Sequence, residues 1–392
     1  MKILFVHNSY GSNNSGEEHA SQGLADLLIS NGHTVSWFRK SSDVIQDSFT
    51  MKIAAFFLGI YNPKAVKELK SQILAFKPDI IQVQNVYPFI SPAILPLIKK
   101  MNIPSVMRCP NYRLFCPTGL HLDGKDKVCE KCLTGLKELN TIFKNCEKNR
   151  FKSIGYALRN FIGRTIWKLQ DNMDAYIVQS NFQKNKFIEN GIKSDKLFVI
   201  PGLTPALKIN GSKEFGNYVS FIGRASVEKG IVEFLEVANE LPTIPFAVVG
   251  ALDPTLESLK KESPPNVHWT GFLSGKEYDM FYQKSKIVVV PSKWYEGFPN
   301  VITRAMQHGK PVITSNIGAM QSIIDHEING LLVEPGNSTH LKNAVERLYN
   351  NNELCEKMGV FGKAKATNKY NDTVIYNELM NTYNFILKSV NK

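Results

Sequence analysis

A chain of 392 residues with 43% hydrophobic and 21% charged side chains has an ordinary globular composition, not a disordered one, and is long enough for two domains. The longest apolar run, IAAFFLGIY from Ile53 to Tyr61, is far short of the roughly 20 residues that a membrane span needs. MKILFV runs straight into polar residues with no secretory h-region, so the sequence reads as cytoplasmic. The net charge of +12 is uneven: residues 1–200 hold 27 Lys and Arg against 16 Asp and Glu, which leaves the remainder nearly neutral. A basic half suits an anionic partner such as a membrane surface, a lipid-linked phosphate or nucleic acid; a solvated basic face is the plainer alternative.

In chain order, β-rich apolar runs alternate with helical patterns, which predicts α/β architecture with mostly parallel sheets. The first half offers strands at 2–6, 33–38, 79–85, 104–109, 175–180 and 197–202. A less apolar stretch, 204–217, reads as a linker. The pattern restarts with strands at 218–224, 245–251, 266–272, 286–292, 311–316 and 330–335, and the chain ends in helices. Two doubly wound domains, 1–203 and 218–372, are expected, with carboxyl strand ends facing a cleft that accepts a nucleotide-sized ligand.

The first candidate motif is the loop YGSNNSG after the first strand, where Gly11, Ser15 and Gly16 allow backbone N–H groups to approach a phosphate at a helix start. An ordinary helix start explains it equally well. It is not the G-x-G-x-x-G fingerprint, and the lack of that fingerprint disfavours a dehydrogenase. Next come Cys116, Cys129, Cys132 and Cys146, with a C-x2-C at their centre. They read either as a structural zinc set or as reduced thiols packed in a loop. Cys109 and Cys355 read as core residues. A basic insert spans about 110–170, and its segment NRFKSIGYALRNFIGRTIWKLQ mixes cations with Phe, Ile, Leu and Trp at helical spacing. It either lies on an anionic membrane or packs its apolar side on its own domain.

The second half opens with GRASVEKG, which places Arg224 directly after a strand and Lys229 at a helix start, two cations suited to a diphosphate. In PSKWYEGFPNVITRAM, Pro291 to Met306, a strand turns into a helix that begins near Pro299. The helix start offers unpaired N–H groups to an anion, and Gly297 allows close approach. Glu296, acceptor-only when ionised, suits sugar hydroxyls and would repel a phosphate. A sugar and a phosphate in one ligand describe a nucleotide sugar.

From MKILFVHNSYGSNNSGEEHA through GRASVEKG to EGFPNVITRAMQHGKPVITSNIGAMQSIIDHEINGLLVEPGN, the chain resembles family 4 retaining glycosyltransferases of the two-domain GT-B fold. The segment CPNYRLFCPTGLHLDGKDKVCEKC resembles a cysteine-containing branch associated with bacterial polysaccharide assembly. The resemblance implies that Arg224 and Lys229 hold the donor diphosphate, and that Glu296 binds the transferred sugar, lined by Gly297 and Phe298. It also implies that Gly16 belongs to the phosphate-approaching loop, and that a final helix, 373–392, crosses back to the first domain. The implied donor is UDP- or GDP-linked, the implied acceptor a lipid-linked or growing glycan at the inner face of the cell membrane. Two positions depart from the pattern. Arg304 stands where a second glutamate usually grips ribose; an arginine cannot accept a hydrogen bond, so it is expected to contact the nucleotide instead. Pro110 stands where the family often has histidine. No D-x-D motif occurs, so catalysis is expected to need no metal, and retention is implied by the family alone. The competing readings are a non-catalytic nucleotide-sugar binder, favoured by Arg304 and Pro110, and a sugar-nucleotide epimerase, which would need acid/base residues beyond Glu17, Glu18 and His19. Nucleic-acid binding would require a groove-reading element or stacking platform, and neither is evident.

Overall fold

The computed structural model describes residues 1–9, 16–45, 49–207 and 216–390. Among them, twelve strands form two parallel six-stranded sheets, each expected strand in place. The chain divides into two compact units: residues 1–125, 129–203 and 375–392 form one, and residues 126–128 and 204–374 the other. Most of the expected linker, 208–215, lies outside the described residues.

The first sheet comprises β1 (Lys2–Ser9), β2 (Thr34–Ser41), β3 (Ile80–Asn85), β4 (Ser105–Arg108), β5 (Ala175–Val178) and β6 (Leu197–Val199), in the order β2-β1-β3-β4-β5-β6. Strands β3, β4 and β5 are buried along their whole length, as covered parallel strands are. Gln82 is a polar exception inside β3, and it accepts a hydrogen bond from the Tyr383 hydroxyl. Tyr383 comes from the last helix, Asp372–Val390. That helix buries Ile375, Leu379, Tyr383 and Ile386, spaced by four, four and three, against Ile3, Phe5, Ile80 and Val106. Each such side chain contributes about 1.5–3 kcal/mol of transfer free energy, which fixes the chain's end onto this unit.

The second sheet comprises β7 (Tyr218–Ile222), β8 (Phe246–Val249), β9 (Val267–Gly271), β10 (Ser285–Val290), β11 (Val312–Ser315) and β12 (Gly330–Val333), in the order β12-β11-β10-β7-β8-β9. It has one apolar core on each face: Phe221, Phe234 and Val289 on one side, Val288, Ile302 and Met306 on the other. In both sheets the strand order reverses at one point, between β1 and β3 in the first and between β7 and β10 in the second. Loops diverge there, and a crevice opens at the carboxyl ends of the strands.

The basic insert folds within the first unit. Its helix Arg150–Thr165 is capped by the Asn149 side chain, which accepts from the Lys152 N–H. The helix turns small and polar residues inward, burying Ser153, Ala157, Asn160 and Gly163. Gly155 allows close approach to a neighbour, because a Cβ there would lie 3.2 Å from the Phe56 ring. The large apolar residues Phe151, Ile154, Leu158 and Phe161 are exposed. The large apolar stripe of the helix is thus turned outward, while Trp167 and Leu169 at the end of the same segment pack onto the domain. Among the described residues, no helix is long and apolar enough to cross a membrane.

Candidate functional site

The switch point of the second sheet gathers three loops' worth of chemistry. After β7 the chain makes a short 3-10 turn, Val227–Lys229, then turns through Gly230 into the helix Ile231–Glu240. Gly230 sits at φ 80°, and a Cβ there would come within 2.1 Å of the Pro291 carbonyl. Only glycine lets this turn lie against the end of β10. The Lys293 N–H donates to the Glu228 carbonyl at 2.8 Å, stitching the same two loops together.

That stitching brings together Lys229 and Glu296, two of the residues singled out from the sequence. Their side chains form an ion pair with Glu296 buried. The Glu296 Oε1 also accepts from Ser292 Oγ at 2.8 Å and from Trp294 Nε1 at 3.1 Å. Among the described residues, every side-chain hydrogen bond to this carboxylate falls on Oε1, leaving Oε2 as an open acceptor. The Lys229 Nζ also lies 5.3 Å from the centre of the Trp294 ring. Ser292 and Trp294 were not singled out from the sequence. The stretch SKWYEGF carries them two and four residues before Glu296, close enough that turn geometry alone could have suggested them.

The following helix, Asn300–Gln307, starts at Pro299 without a side-chain cap, so its first N–H groups are left for a ligand or solvent. Gly297 is buried before it, and Phe298 packs edge-on against Tyr370 at 5.4 Å. Arg224 is placed less centrally: it is largely exposed and paired with Glu228 at 2.6 Å. Gly16 begins the helix Gly16–Ser30 in the other unit, and Gly11 and Ser15 lie outside the described residues.

Arg304, expected to contact the nucleotide, is engaged by acceptors of the protein itself. Nε and Nη2 each donate to Asp279 at 2.7 Å, while Nη1 donates to the Pro205 carbonyl at 2.5 Å and to Gln307 Oε1 at 3.0 Å. Three nitrogens are engaged by protein acceptors, and the fork with Asp279 is bidentate and mostly buried. Arg304 is a structural tie from this helix to the helix Gly275–Lys284 and to residue 205.

The cysteines are all free thiols. Cys116 Sγ lies 3.4 Å from the Thr118 hydroxyl and Cys132 Sγ 3.7 Å from that of Thr141. Burial, then the neighbouring thiols, pushes Cys132 and Cys146 up to about 12. Among the described residues, no three His, Cys, Asp or Glu side chains gather as a metal-binding group. Cys116 and Cys132 thus have hydroxyl neighbours, and all four of Cys116, Cys129, Cys132 and Cys146 lie close enough for their thiols to influence one another. Cys109 and Cys355 are buried core residues.

Residues 205–365 match the family described as glycosyl transferases group 1. An uncharacterised 42.6 kDa protein in the cps region of Klebsiella pneumoniae is 26% identical over 353 residues, covering 82% of this chain and 87% of that one. The capsular polysaccharide biosynthesis glycosyltransferase CapM of Staphylococcus aureus is 27% identical over 58% of this chain and 63% of its own length. Among solved structures, sucrose-phosphate synthase from Thermosynechococcus elongatus aligns with a TM-score of 0.74 at 18% identity, covering 99% of both chains. Residues 205–365 thus carry the sequence pattern of the group 1 glycosyl transferases, and the two six-stranded sheets have the GT-B fold.

Proposed function

We propose that the protein transfers a sugar from a UDP- or GDP-linked donor to a lipid-linked or growing glycan in cell-surface polysaccharide assembly, with retention of configuration. The observation that carries this reading is the Lys229–Glu296 pair at the switch point beside an uncapped helix start. A donor diphosphate gains charge as its glycosidic bond breaks, and a fixed cation and helix N–H groups stabilise that charge. The open Oε2 of Glu296 accepts from a sugar hydroxyl, while Ser292 and Trp294 hold Oε1 in place. Lys229 has a carboxylate partner before the donor arrives, so diphosphate binding re-pairs it and charges no new group. The test is nucleoside diphosphate release from UDP- and GDP-sugars in the presence of membrane-derived acceptor. Lys229→Met should lower kcat/KM on the order of 10²–10³-fold. An unchanged rate in this variant would remove the proposed role.

The same reading places the protein at an anionic membrane surface. Beside the exposed Phe151, Ile154, Leu158 and Phe161 lie Phe143, 72% exposed, and Leu139 on the preceding helix Leu139–Phe143. The packed neighbour Phe49–Ile60 adds Ile53 and Phe57. Lys144, Lys148, Arg150 and Lys152 are exposed among them. Apolar side chains ringed by cations match the boundary between headgroups and acyl chains of an anionic bilayer. A lipid-linked acceptor would be reached there.

A further inference from the structure

We infer that the first unit holds a dedicated pocket for an anionic group of the acceptor, a phosphate or a carboxylate, received by Arg108. The inference rests on the transferase reading above and adds the acceptor's charge. The pocket lies at the carboxyl ends of β3 and β4, beside the switch point of the first sheet, and is lined by Glu17, Gln84, Tyr87, Arg108, Pro110 and Arg113 among others.

Three groups in it are buried and unsatisfied. Arg108 is 4% exposed and, among the described residues, forms no ion pair and has no hydrogen-bond partner for its Nη1. Gln84 is 5% exposed, with both amide atoms unpartnered, and the Tyr87 hydroxyl is unpartnered as well. A buried guanidinium without a partner is costly, and buried polar groups are almost always paired. Here donors from three positions line one recess and find no partner among the described residues. Burial disfavours the charged form of Arg108, and Glu17 is near enough to offset part of that cost without forming an ion pair with it. With Arg113 also lining the pocket, its two guanidinium groups outnumber the one carboxylate. A planar fork suits a carboxylate or phosphate, and the Gln84 amide and Tyr87 hydroxyl supply further donors. The anion has two sources: the phosphate of a lipid-linked carrier or the carboxylate of an acidic sugar.

The experiment measures the thermal midpoint of the full chain with inorganic phosphate, sodium glucuronate or glucose at matched ionic strength. It compares wild type, Arg108→Met, Gln84→Leu and Lys229→Met. Stabilisation of wild type and Lys229→Met by phosphate alone assigns the pocket to a phosphate, and stabilisation by glucuronate alone assigns it to an acidic sugar. Either response, or both, is expected to vanish in Arg108→Met and weaken in Gln84→Leu, with glucose inert throughout. Without anion, Arg108→Met should melt no lower than wild type, because it removes an unpaired buried charge. Two results overturn the proposal: no anion shifts wild type, or the shift survives in Arg108→Met and is lost in Lys229→Met. UDP and GDP binding, read in the same variants, separates this from the transferase reading. Its retention in Arg108→Met with loss of the anion response is the expected pattern, and its absence in wild type would count against the transferase reading alone.

Discussion

Arg304 illustrates how a residue's partners decide its role. On the sequence it stands eight residues beyond Glu296, where a nucleotide contact is expected; in the fold Asp279, 25 residues upstream, takes its guanidinium edge-on. Nothing local to the helix announces that partner, so the tie was not legible before the fold. Arg304→Ala leaves Asp279 buried and unpaired, which should cost about 3–5 kcal/mol of stability. The donor KM of the folded fraction should stay near wild type; a large rise in KM with unchanged stability would restore the nucleotide role. His308 sits beside the same pair, stacked on Tyr282 at 5.1 Å, with Asp279 3.6 Å away. Burial and then the Arg304 charge lower its pKa to about 4, only partly opposed by Asp279. The folded value lies below the unfolded one of 6.5, so the unfolded chain binds the extra proton between them. The stability that depends on neutral His308 is full above pH 6.5 and is lost as pH falls toward 4. The melting temperature should drop across that window, and His308→Gln should flatten the drop. An equally steep profile in the variant would place the titration elsewhere.

At the scale of elements, the parallel strands were readable because burial on both faces leaves continuous apolar runs such as IVVV in β10. The Lys229–Glu296 meeting was readable too, since both residues follow strands that flank one switch point. The orientation of the helix Arg150–Thr165 was not. Phe151, Ile154, Leu158 and Phe161 share one stripe and Ser153, Ala157, Asn160 and Gly163 another, and periodicity alone does not say which stripe faces inward. Close packing selects the small stripe: a Cβ on its Gly163 would lie 3.2 Å from the Tyr87 hydroxyl. Each exposed Phe that inserts into a bilayer contributes about 1.5–3 kcal/mol, roughly tenfold or more in partitioning. Phe143→Ser and Phe151→Ser should each lower binding to anionic vesicles by that factor while shifting stability within about ±0.5 kcal/mol. Unchanged vesicle binding in the double variant would remove this face as the docking surface. The pocket at Arg108 was likewise hidden in the sequence, where the residue reads as the polar end of a strand.

Across the whole molecule, charge and chemistry divide between the units. The basic first half carries the exposed apolar and cationic face and the Arg108 pocket; the nearly neutral second half carries the Lys229–Glu296 pair. Each unit places its candidate site where its own strand order reverses, so two sheets of different order arrive at the same solution. The central claim is that Lys229 of the pair in the second unit holds a nucleoside diphosphate. It is tested most directly by the thermal unfolding of wild type and Lys229→Met with UDP, GDP, ADP, CMP and NAD at matched millimolar concentrations. A ligand at 100 times its Kd stabilises its site by about 2.7 kcal/mol, well within reach of the measurement. UDP or GDP should raise the wild-type midpoint, Lys229→Met should lose most of that shift, and NAD should do nothing. A shift from neither diphosphate, or an equal shift in Lys229→Met, would contradict the account.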